Sequence, residues 1–353
     1  MIPTLTKEFV PNYFTEVRQC AAELVAKWKT KSTGGPLKIS PFDELNRLSL
    51  EACTLAFHGV KLNCITAAQA HPMIAAMEGA TSEAMKRPNR PRLLNWWHQS
   101  KFNKDTKTMR TYAADVLKQR RDNPQPERKD MLHALMNGVD PETGERFDDT
   151  QLIDEMVTTP IGASTAPCLL SMAMYYLCNN PEAVTRAREE INRVLGDGPF
   201  THDKIADLIY CDAIIKESIR LSAPAPGFNI EPLPGTTGPV TLANGKYEIP
   251  ADQMMIIVLA AVNRDPAVFD HPLEFRPERM LPEKFEAYPL GVKRWFGNGK
   301  RECIGKHYAW LWNVVTIVTI LKDVEFEMAD SKYQLKQDGW FNVRPAGFEV
   351  LVK

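Results

Sequence analysis

Apolar residues recur at helical spacing along much of the chain, and this pattern constrains the fold more than any other feature. The clearest such segments are Tyr13–Lys31, Leu45–Val60, Met73–Met85 and Met109–Arg121. Side chains three and four positions apart share one face of a helix, so each segment presents an apolar face for burial. The sequence therefore predicts a mainly α protein in which helices pack on one another.

A long helix is predicted in the middle of the chain. The segment Asn137–Asp149 is rich in Gly, Pro and Asp, which is typical of a turn and loop. Asp149 or Thr150 can then cap a helix, because their side-chain oxygens accept backbone N–H groups that lack a helical partner. We expect this helix to continue towards Asn179.

The second half of the chain mixes helical and extended signals. A helix is predicted from about His202 to Ser222, where the sequence APAPG ends it. The pair Asn244–Gly245, between short β-favouring runs, predicts a β-hairpin turn. A final long helix is predicted over Ile304–Lys322, after a Gly-rich loop. The β content is thus expected to be small.

Composition excludes some classes of partner. The net charge of −1 gives no electrostatic basis for binding nucleic acid or an acidic membrane surface. The 7 cysteines form no C-x-x-C pair, and their odd number favours free thiols in a reducing compartment such as the cytoplasm. No long apolar run follows the opening MIPTLTKEFV, so we expect neither a signal peptide nor a membrane anchor in this chain.

One cysteine has informative neighbours. The segment WFGNGKRECIGKHYAW contains Phe296, Gly299, Arg301, Cys303 and Gly305 in the order F-x-x-G-x-R-x-C-x-G. Glycines let the backbone approach a bound group closely. The following helix places Cys303 near free N–H groups and the positive end of a dipole, and Arg301 adds positive charge, so a thiolate is favoured. A buried structural cysteine is the alternative for a lone thiol, but the fixed spacing favours a ligand.

This string resembles the haem-binding signature of cytochrome P450 enzymes. The resemblance implies that Cys303 is the axial thiolate ligand of the iron of haem b (heme b). It also implies that Arg301 pairs with a haem propionate and that Phe296 shields the sulfur from water. Gly299 and Gly305 complete the expected cofactor-binding loop. The fold expected from the resemblance is a mainly α, P450-like helical fold with small β-sheets.

A second motif of the family lies upstream of the cysteine. Glu217 and Arg220 stand three positions apart in KESIRL and therefore share one helix face. The alternative is an exposed ion pair, which stabilises a protein little. Downstream, FRPERM supplies Arg279, which resembles the family's third partner. The resemblance implies a buried structural network of these residues that fixes the helix against the loop before the cysteine.

The long central helix resembles the oxygen-binding helix of the family. Aligning CLLSMAMYYL with its counterpart places Thr165 at the oxygen-activating threonine and Gly162 at the small residue beside dioxygen. A threonine inside a helix can instead bond back to a preceding carbonyl. Ser164 stands where the family usually carries an acid. These residues are the predicted catalytic set.

Two prolines bracket this motif in the sequence TPIGASTAP. Pro167 cannot donate to the carbonyl of Ala163, and Pro160 leaves the carbonyl of Met156 without its helical donor. We therefore expect a distorted helix with free carbonyls. This either exaggerates a distortion that the family's helix already has or, with Ser164 in place of the acid, signals altered proton delivery or decay of the site.

The resemblance covers essentially the whole chain and is strongest to soluble fatty-acid hydroxylases and the haem domains of fungal reductase fusions. It implies one haem-thiolate domain over residues 1–353. That domain is expected to be N-terminally shortened, lacking the family's N-terminal β region and early helices. In particular, no tryptophan in the first half of the chain is followed by arginine in the W-x-x-x-R spacing that would contact haem propionates.

The function implied by the resemblance is monooxygenation. One atom of O2 would enter a small apolar substrate, either a fatty acid or a secondary metabolite, with electrons from a separate NADPH-dependent flavoprotein reductase. No nucleic-acid partner is expected. Three alternatives remain open: a truncated or degenerate relative that binds haem poorly, a haem-thiolate enzyme that rearranges peroxides without O2, and a helical protein without haem.

Overall fold

The computed structural model describes residues 2–140 and 142–353, and α-helices dominate these residues. The helices are α1 Phe14–Ser32, α2 Pro41–Cys53, α3 Pro72–Lys86, α4 Arg92–Asp122, α5 Met131–Asn137, α6 Asp149–Ala163, α7 Ala166–Cys178, α8 Pro181–Leu195, α9 Ile209–Leu221, α10 Leu259–Val262, α11 Pro282–Ala287 and α12 Lys306–Asp323. The mainly α prediction is therefore confirmed.

The strands are short and pair antiparallel throughout the described chain. They are β1 Leu37–Ile39, β2 Gly227–Ile230, β3 Val240–Leu242, β4 Tyr247–Ile249, β5 Met255–Val258, β6 Phe326–Met328, β7 Gln337–Asp338, β8 Arg344–Pro345 and β9 Val350–Val352. β9 lies between β1 and β6 in the one three-stranded sheet of these residues. The other pairs are β2 with β5, β3 with β4, and β7 with β8.

The hairpin predicted at Asn244–Gly245 is confirmed. Asn244 has φ of 56° and Gly245 has φ of 85°, the left-handed conformation that Asn and Gly tolerate best. The N–H of Lys246 donates to the carbonyl of Ala243 at 3.2 Å and closes the turn between β3 and β4. The loop predicted separately over Asn137–Asp149 is non-helical at the described residues from 138 to 148. Pro141 lies outside the described residues.

Three helix predictions were wrong in extent. α2 begins at Pro41 and ends at Cys53 rather than spanning Leu45–Val60, and a π-helix over Thr54–His58 follows it. α4 begins at Arg92 rather than Met109, because its first half is a helix with an exposed surface: Trp96 and Trp97 are 73% and 77% exposed. Burial periodicity therefore gave no signal there. The region from His202 begins as a 3₁₀ turn and becomes α-helical only at Ile209.

Helix α8 was not predicted. Pro181 occupies its first turn, where the missing N–H has no cost, and the chain leaves it at Gly196 with φ of 53°. Its buried residues include Ala183, Ala187 and Ile191, which fall on one helical face. Val184, Val194 and Leu195 extend the same apolar face, so the sequence does carry a helical pattern here, and the prediction overlooked it.

The predicted helix from Asp149 to Asn179 is broken in two. α6 ends at Ala163 and α7 begins at Ala166, so the break falls on Ser164 and Thr165. The cap of α6 is Asp148, not Asp149 or Thr150. Its carboxylate accepts the N–H of Gln151 at 2.8 Å, and the Gln151 side chain accepts the N–H of Asp148 at 2.9 Å.

The carbonyls freed by the prolines are not unpaired, so that prediction was wrong. Ser49 of α2 donates its hydroxyl to the carbonyl of Ala163 at 2.9 Å. The hydroxyl of Thr159 donates to the carbonyl of Met156 at 3.3 Å. Side chains thus replace the backbone donors that the prolines lack, which lets the break persist in the interior.

The main hydrophobic core extends from Leu5 to Val352, and α12 lies inside it. Residues Leu311–Leu321 of α12 are all buried. This helix packs on α1, α7, α8 and α9. Trp312 has no exposed surface, and truncating a buried tryptophan costs roughly 3–5 kcal/mol. The core therefore fixes the helix that directly follows the cysteine loop.

One stretch of the described residues, Asp149–Cys178, is long and apolar enough by composition to cross a membrane. It consists of α6 and α7. In its most apolar window 56% is buried inside the protein, as in a helix of the core.

Candidate functional site

The cysteine loop has a tight backbone that needs glycine at defined positions. Gly297 and Gly299 have φ of 79° and 64°, in the left-handed region that other residues rarely adopt. The N–H of Cys303 donates to the carbonyl of Phe296 at 2.8 Å and closes the loop. Gly305 is different: it caps α12 with φ of −87°, and a Cβ there would meet only the Cys303 sulfur, at 4.0 Å.

Cys303 is the one exposed cysteine in the chain; the other thiols are buried or half-buried. The surrounding loop still removes enough water to raise the pKa of the Cys303 thiol above its ordinary value. The N–H of Gly305 and the charge of Lys306 act in the opposite direction, while Glu302 reinforces the rise. The N–H at the helix start thus acts on the pKa of Cys303 in the predicted direction, but it does not outweigh the loss of water.

The donor set at this position fits a haem. In the described residues no group of three or more His, Cys, Asp or Glu side chains could hold a metal ion. A single thiol cannot hold a bare ion that requires several ligands. An iron that brings its own porphyrin nitrogens needs only one protein ligand, and the accessible sulfur of Cys303 can supply it.

Arg301 and Phe296, two neighbours of the cysteine, are placed as haem binding requires. Arg301 is exposed and forms no ion pair with another described residue, so its guanidinium is available to a carboxylate ligand. Phe296 is half-buried and packs edge-on against Trp310 of α12, with ring centroids 6.2 Å apart. This contact holds the aromatic ring beside the loop that carries the sulfur.

The structure brings Glu217, Arg220 and Arg279 together in the interior. Arg220 donates from Nε and Nη2 to the carboxylate of Glu217, each at 2.7 Å, and Arg279 Nε donates to the same carboxylate at 3.0 Å. Burial raises the pKa of Glu217, and the hydrogen bond from Arg220 acts against that rise. The network is buried and not a solvated surface pair.

The arginines of this network also bind the chain that leads to the cysteine loop. Arg220 donates to the carbonyls of Asn263 and Pro272, at 2.9 and 2.7 Å. Arg279 donates to the carbonyl of Asp270 at 2.6 Å. Each guanidinium thus satisfies several buried acceptors in a segment without regular structure.

On the distal side, the predicted residues sit at the break between α6 and α7. Gly162 is exposed, and a Cβ there would meet nothing within 4 Å. The hydroxyl of Thr165 donates to Oδ1 of Asn342 at 2.9 Å, and Nδ2 of Asn342 donates to the hydroxyl of Ser164 at 2.9 Å. The space beside Gly162 is therefore open, while the hydroxyls of Ser164 and Thr165 are both hydrogen-bonded to Asn342.

Asn342 was not predicted from the sequence. It lies 177 positions from Thr165, in the loop between β7 and β8, and no motif marks it. Ser49 was missed for the same reason, since it reaches Ala163 across 114 positions. Only the assembled fold shows these contacts.

A cavity of about 270 Å³ adjoins the break between α6 and α7. It lies among α2, α3 and the loop between β7 and β8. Its walls include Phe42, Met77, Ser164, Trp340, Phe341 and Asn342. The cavity therefore reaches the predicted distal residues and combines apolar with hydrogen-bonding walls.

A family model described as cytochrome P450 matches residues 1–352. The chain belongs to the cytochrome P450 family. A bifunctional cytochrome P450/NADPH–P450 reductase of Aspergillus oryzae is 34% identical over 99% of this chain and 32% of its own length. A self-sufficient cytochrome P450 monooxygenase of Phanerodontia chrysosporium is 33% identical over 99% of this chain and 33% of its own length.

The chain spans about a third of the length of these curated cytochrome P450 relatives. A crystal structure of the cytochrome P450DA heme domain is 25% identical and has a TM-score of 0.89. It covers 100% of this chain, which covers 75% of that domain. The predicted family and the P450-like fold are confirmed, and so is haem as the cofactor, because cytochrome P450 proteins bind haem through a cysteine thiolate.

Proposed function

We propose that residues 1–353 form one haem domain that acts in monooxygenation of a small apolar molecule. The observation that carries this proposal is the accessible thiol of Cys303, presented by a glycine-shaped loop at the start of the core helix α12. A continuous core from Leu5 to Val352 supports a single domain.

We assign the haem contacts to the cysteine loop. Cys303 would hold the haem iron through its thiolate, Arg301 would pair with a propionate, and Phe296 with Gly299 and Gly305 would shape the loop around the sulfur. Haem bound there would supply the activation of O2. The reaction consumes the substrate C–H bond, O2, NADPH and one proton, and it yields the alcohol, water and NADP⁺, so atoms and electrons balance.

We assign the distal residues two roles, which are proton transfer and leaving room for a ligand beside the helix. Gly162 leaves room beside the helix, because a Cβ would meet no atom within 4 Å. The Thr165 hydroxyl lies at the helix break, where it accepts or donates a proton without disrupting helical hydrogen bonds. Ser164 is assigned a supporting role, since its hydroxyl donates to the carbonyl of Ile161 at 2.7 Å.

The electrons are proposed to come from an NADPH-dependent flavoprotein reductase. The cytochrome P450 model accounts for residues 1–352, so the flavin groups must come from outside these residues. The bifunctional relative from Aspergillus oryzae is named for a P450 and a reductase together. For residues 1–353 we propose that a separately added reductase is the donor.

The substrate is proposed to be a fatty acid or a secondary metabolite of similar size. Phe42, Ile74 and Met77 give the cavity an apolar part, while Glu78, Lys86 and Arg344 give it charged walls, so it suits a molecule that has both an apolar chain and a polar group. The protein is proposed to act in a reducing, cytoplasmic compartment, because none of its 7 cysteines forms a disulfide.

The proposal is tested by expressing residues 1–353 with a haem supply. The reduced protein is exposed to carbon monoxide, and its difference spectrum is recorded. We expect the absorption band of thiolate-ligated haem, and we expect Cys303→Ala to abolish it. The matched control is Cys178→Ala, which removes a half-buried thiol and is expected to leave the band unchanged.

The remaining outcomes separate the alternatives. No haem uptake by the wild-type chain would overturn the proposal and favour a degenerate relative. If haem binds, NADPH oxidation after addition of a reductase supports monooxygenation. Conversion of an organic hydroperoxide without NADPH, together with no NADPH-dependent product, would instead support peroxide rearrangement.

A further inference from the structure

The side chain of Asn342 connects the loop between β7 and β8 to the helix break. Its amide contacts the hydroxyls of both residues in the break, Ser164 and Thr165, at 2.9 Å each. No other described side chain shares hydrogen bonds with both of these hydroxyls. The amide therefore bridges the neighbouring distal side chains.

The direction of these hydrogen bonds is fixed by their surroundings. The Ser164 hydroxyl has one proton, which it donates to the carbonyl of Ile161 at 2.7 Å. The group that faces Ser164 must therefore be a donor, so the NH₂ of Asn342 points towards it. The amide oxygen then faces Thr165, and the Thr165 proton must point towards that oxygen.

The position of Asn342 is set by contacts other than these hydroxyls. Gly339 has φ of 141°, and a Cβ on it would lie 1.8 Å from the carbonyl oxygen of Asn342. The N–H of the next residue, Val343, donates to the carbonyl of Pro224 at 2.8 Å. Arg344 then forms an ion pair with Glu78 of α3. The amide is thus delivered to the break by an anchored loop.

Asn342 and Ser164 both line the cavity of about 270 Å³. A ligand in this cavity therefore contacts both the bridging amide and the first residue of the break. Without the amide, the Thr165 hydroxyl would lose its acceptor and could turn back to a carbonyl of its own helix, as threonines in helices commonly do.

We propose that Asn342 is a positioning residue, which holds the Thr165 hydroxyl at the break with its proton directed at the amide oxygen. This inference rests on the proposed oxygenase function. The role of Asn342 is to keep the lone pairs of the Thr165 oxygen directed away from the amide, where they can accept a proton. A neutral amide from a distant loop thereby organises the site in which Ser164 replaces the family's acid.

The contact itself is tested without haem or turnover. Thr165→Val, Asn342→Leu and the double variant are unfolded in urea as haem-free chains. We expect the midpoint shifts of the single variants to be non-additive, because either change alone removes the same hydrogen bond. Additive shifts would show that the two side chains are not coupled, and that result would overturn the inference.

The functional role is tested in the haem-loaded protein with an added reductase and NADPH. The measured quantity is the fraction of consumed NADPH that appears as hydrogen peroxide. We expect Asn342→Leu to raise it by roughly two- to tenfold, the range that loss of one ordinary hydrogen bond gives. Asn342→Asp keeps the acceptor for Thr165 in nearly the same shape, and it is made in a Ser164→Ala background because a carboxylate cannot donate to the Ser164 hydroxyl; we expect a fraction within about twofold of that of Ser164→Ala.

The outcomes distinguish this inference from the proposed function. An unchanged peroxide fraction in Asn342→Leu, in a wild-type background that binds haem and consumes NADPH, would overturn the inference alone. Equal increases in the Leu and Asp variants, each relative to its own background, would also overturn it, because a merely structural disturbance does not depend on the acceptor. Absence of haem uptake in the wild type would overturn the proposed function and this inference with it.

Discussion

The guanidinium of Arg220 donates two hydrogen bonds to the carboxylate of Glu217, each 2.7 Å long. Neither side chain has any exposed surface. Arg279 adds a third charged hydrogen bond, at 3.0 Å. Because Arg220 also binds carbonyls from Asn263 to Glu274, the ion pair ties α9 to the irregular chain before the cysteine loop.

We predict that breaking this network destabilises the protein strongly. Arg279→Ala leaves part of the Glu217 charge uncompensated in the interior, and such changes cost roughly 3–5 kcal/mol. The free energy of unfolding in urea measures the effect. Arg276→Ala is the matched control, because its side chain is 40% exposed where it pairs with Asp270, and exposed pairs contribute about 0–1 kcal/mol. Equal losses in both variants would contradict the prediction.

We predict that Cys303 is the first thiol to react in the haem-free chain. Iodoacetamide reaches it because it is exposed, whereas Cys20, Cys53, Cys64, Cys168 and Cys211 are buried. Its pKa is raised by burial, so the fraction of reactive thiolate and the labelling rate should keep increasing above about pH 9. Peptide mass mapping locates the label, and Cys303→Ala is the control.

Haem binding should protect the same thiol. Bound iron occupies the sulfur, so labelling of Cys303 should fall while slow labelling of half-buried Cys178 continues at its own rate. Rapid modification of another cysteine, or a Cys303 rate that levels off at or below about pH 8.5, the pKa of an unperturbed thiol, would be inconsistent with the structure.

The sequence predicted best those helices whose buried face consists of large apolar residues. α1 and α3 fall within one residue of their predicted bounds, whereas α2 begins four residues earlier and ends seven residues earlier than predicted. The first half of α4 was missed because it buries little, and α8 was overlooked although its sequence has a clear apolar face. The break between α6 and α7 was expected only as a distortion, since its end point depends on Ser49 from another helix.

The residues of the candidate site could be predicted only where they lie close together in the sequence. The cysteine loop is contiguous in sequence, so the spacing of its residues was enough to name them together. Glu217 and Arg220 are neighbours on one helix face for the same reason. Asn342 could not be found this way, because its contact with Thr165 arises only when the loop between β7 and β8 packs over the helix break.

We predict an acid-dependent loss of stability that originates at His58. The ring is buried between Tyr112 and Thr159, with Nδ1 at 3.5 Å from the Tyr112 hydroxyl and Nε2 at 3.3 Å from Thr159 Oγ1. Burial lowers the pKa of His58 from 6.5 to about 4. The unfolded chain binds this proton near pH 6.5, so it holds more protons than the folded chain between pH 6.5 and pH 4.

The stability contributed by neutral His58 is therefore fully present above pH 6.5 and is lost as pH falls towards 4. The shift corresponds to about 3 kcal/mol at 1.36 kcal/mol per pKa unit. His58→Gln removes the titration, and subtracting its unfolding free energy from that of wild type isolates the histidine from the carboxylates. His98→Gln is the control on exposed α4. A difference between wild type and His58→Gln that does not change with pH would contradict this account.

Finally, we predict that Ser49 and Pro167 are energetically coupled across the helix break. The Ser49 hydroxyl donates a hydrogen bond to the carbonyl of Ala163, which lacks a helical donor because residue 167 is proline. Ser49→Ala should therefore cost about 1–3 kcal/mol, the cost of leaving a buried acceptor unpaired. In a Pro167→Ala background the backbone N–H of residue 167 becomes available to that carbonyl, so the same Ser49→Ala change should cost less than half as much. Urea unfolding of the four chains measures this difference, with exposed Ser100→Ala as a control expected within about 0.5 kcal/mol of wild type. If Ser49→Ala costs the same in both backgrounds, the hydroxyl does not compensate for the proline, and the break must be stabilised by packing alone.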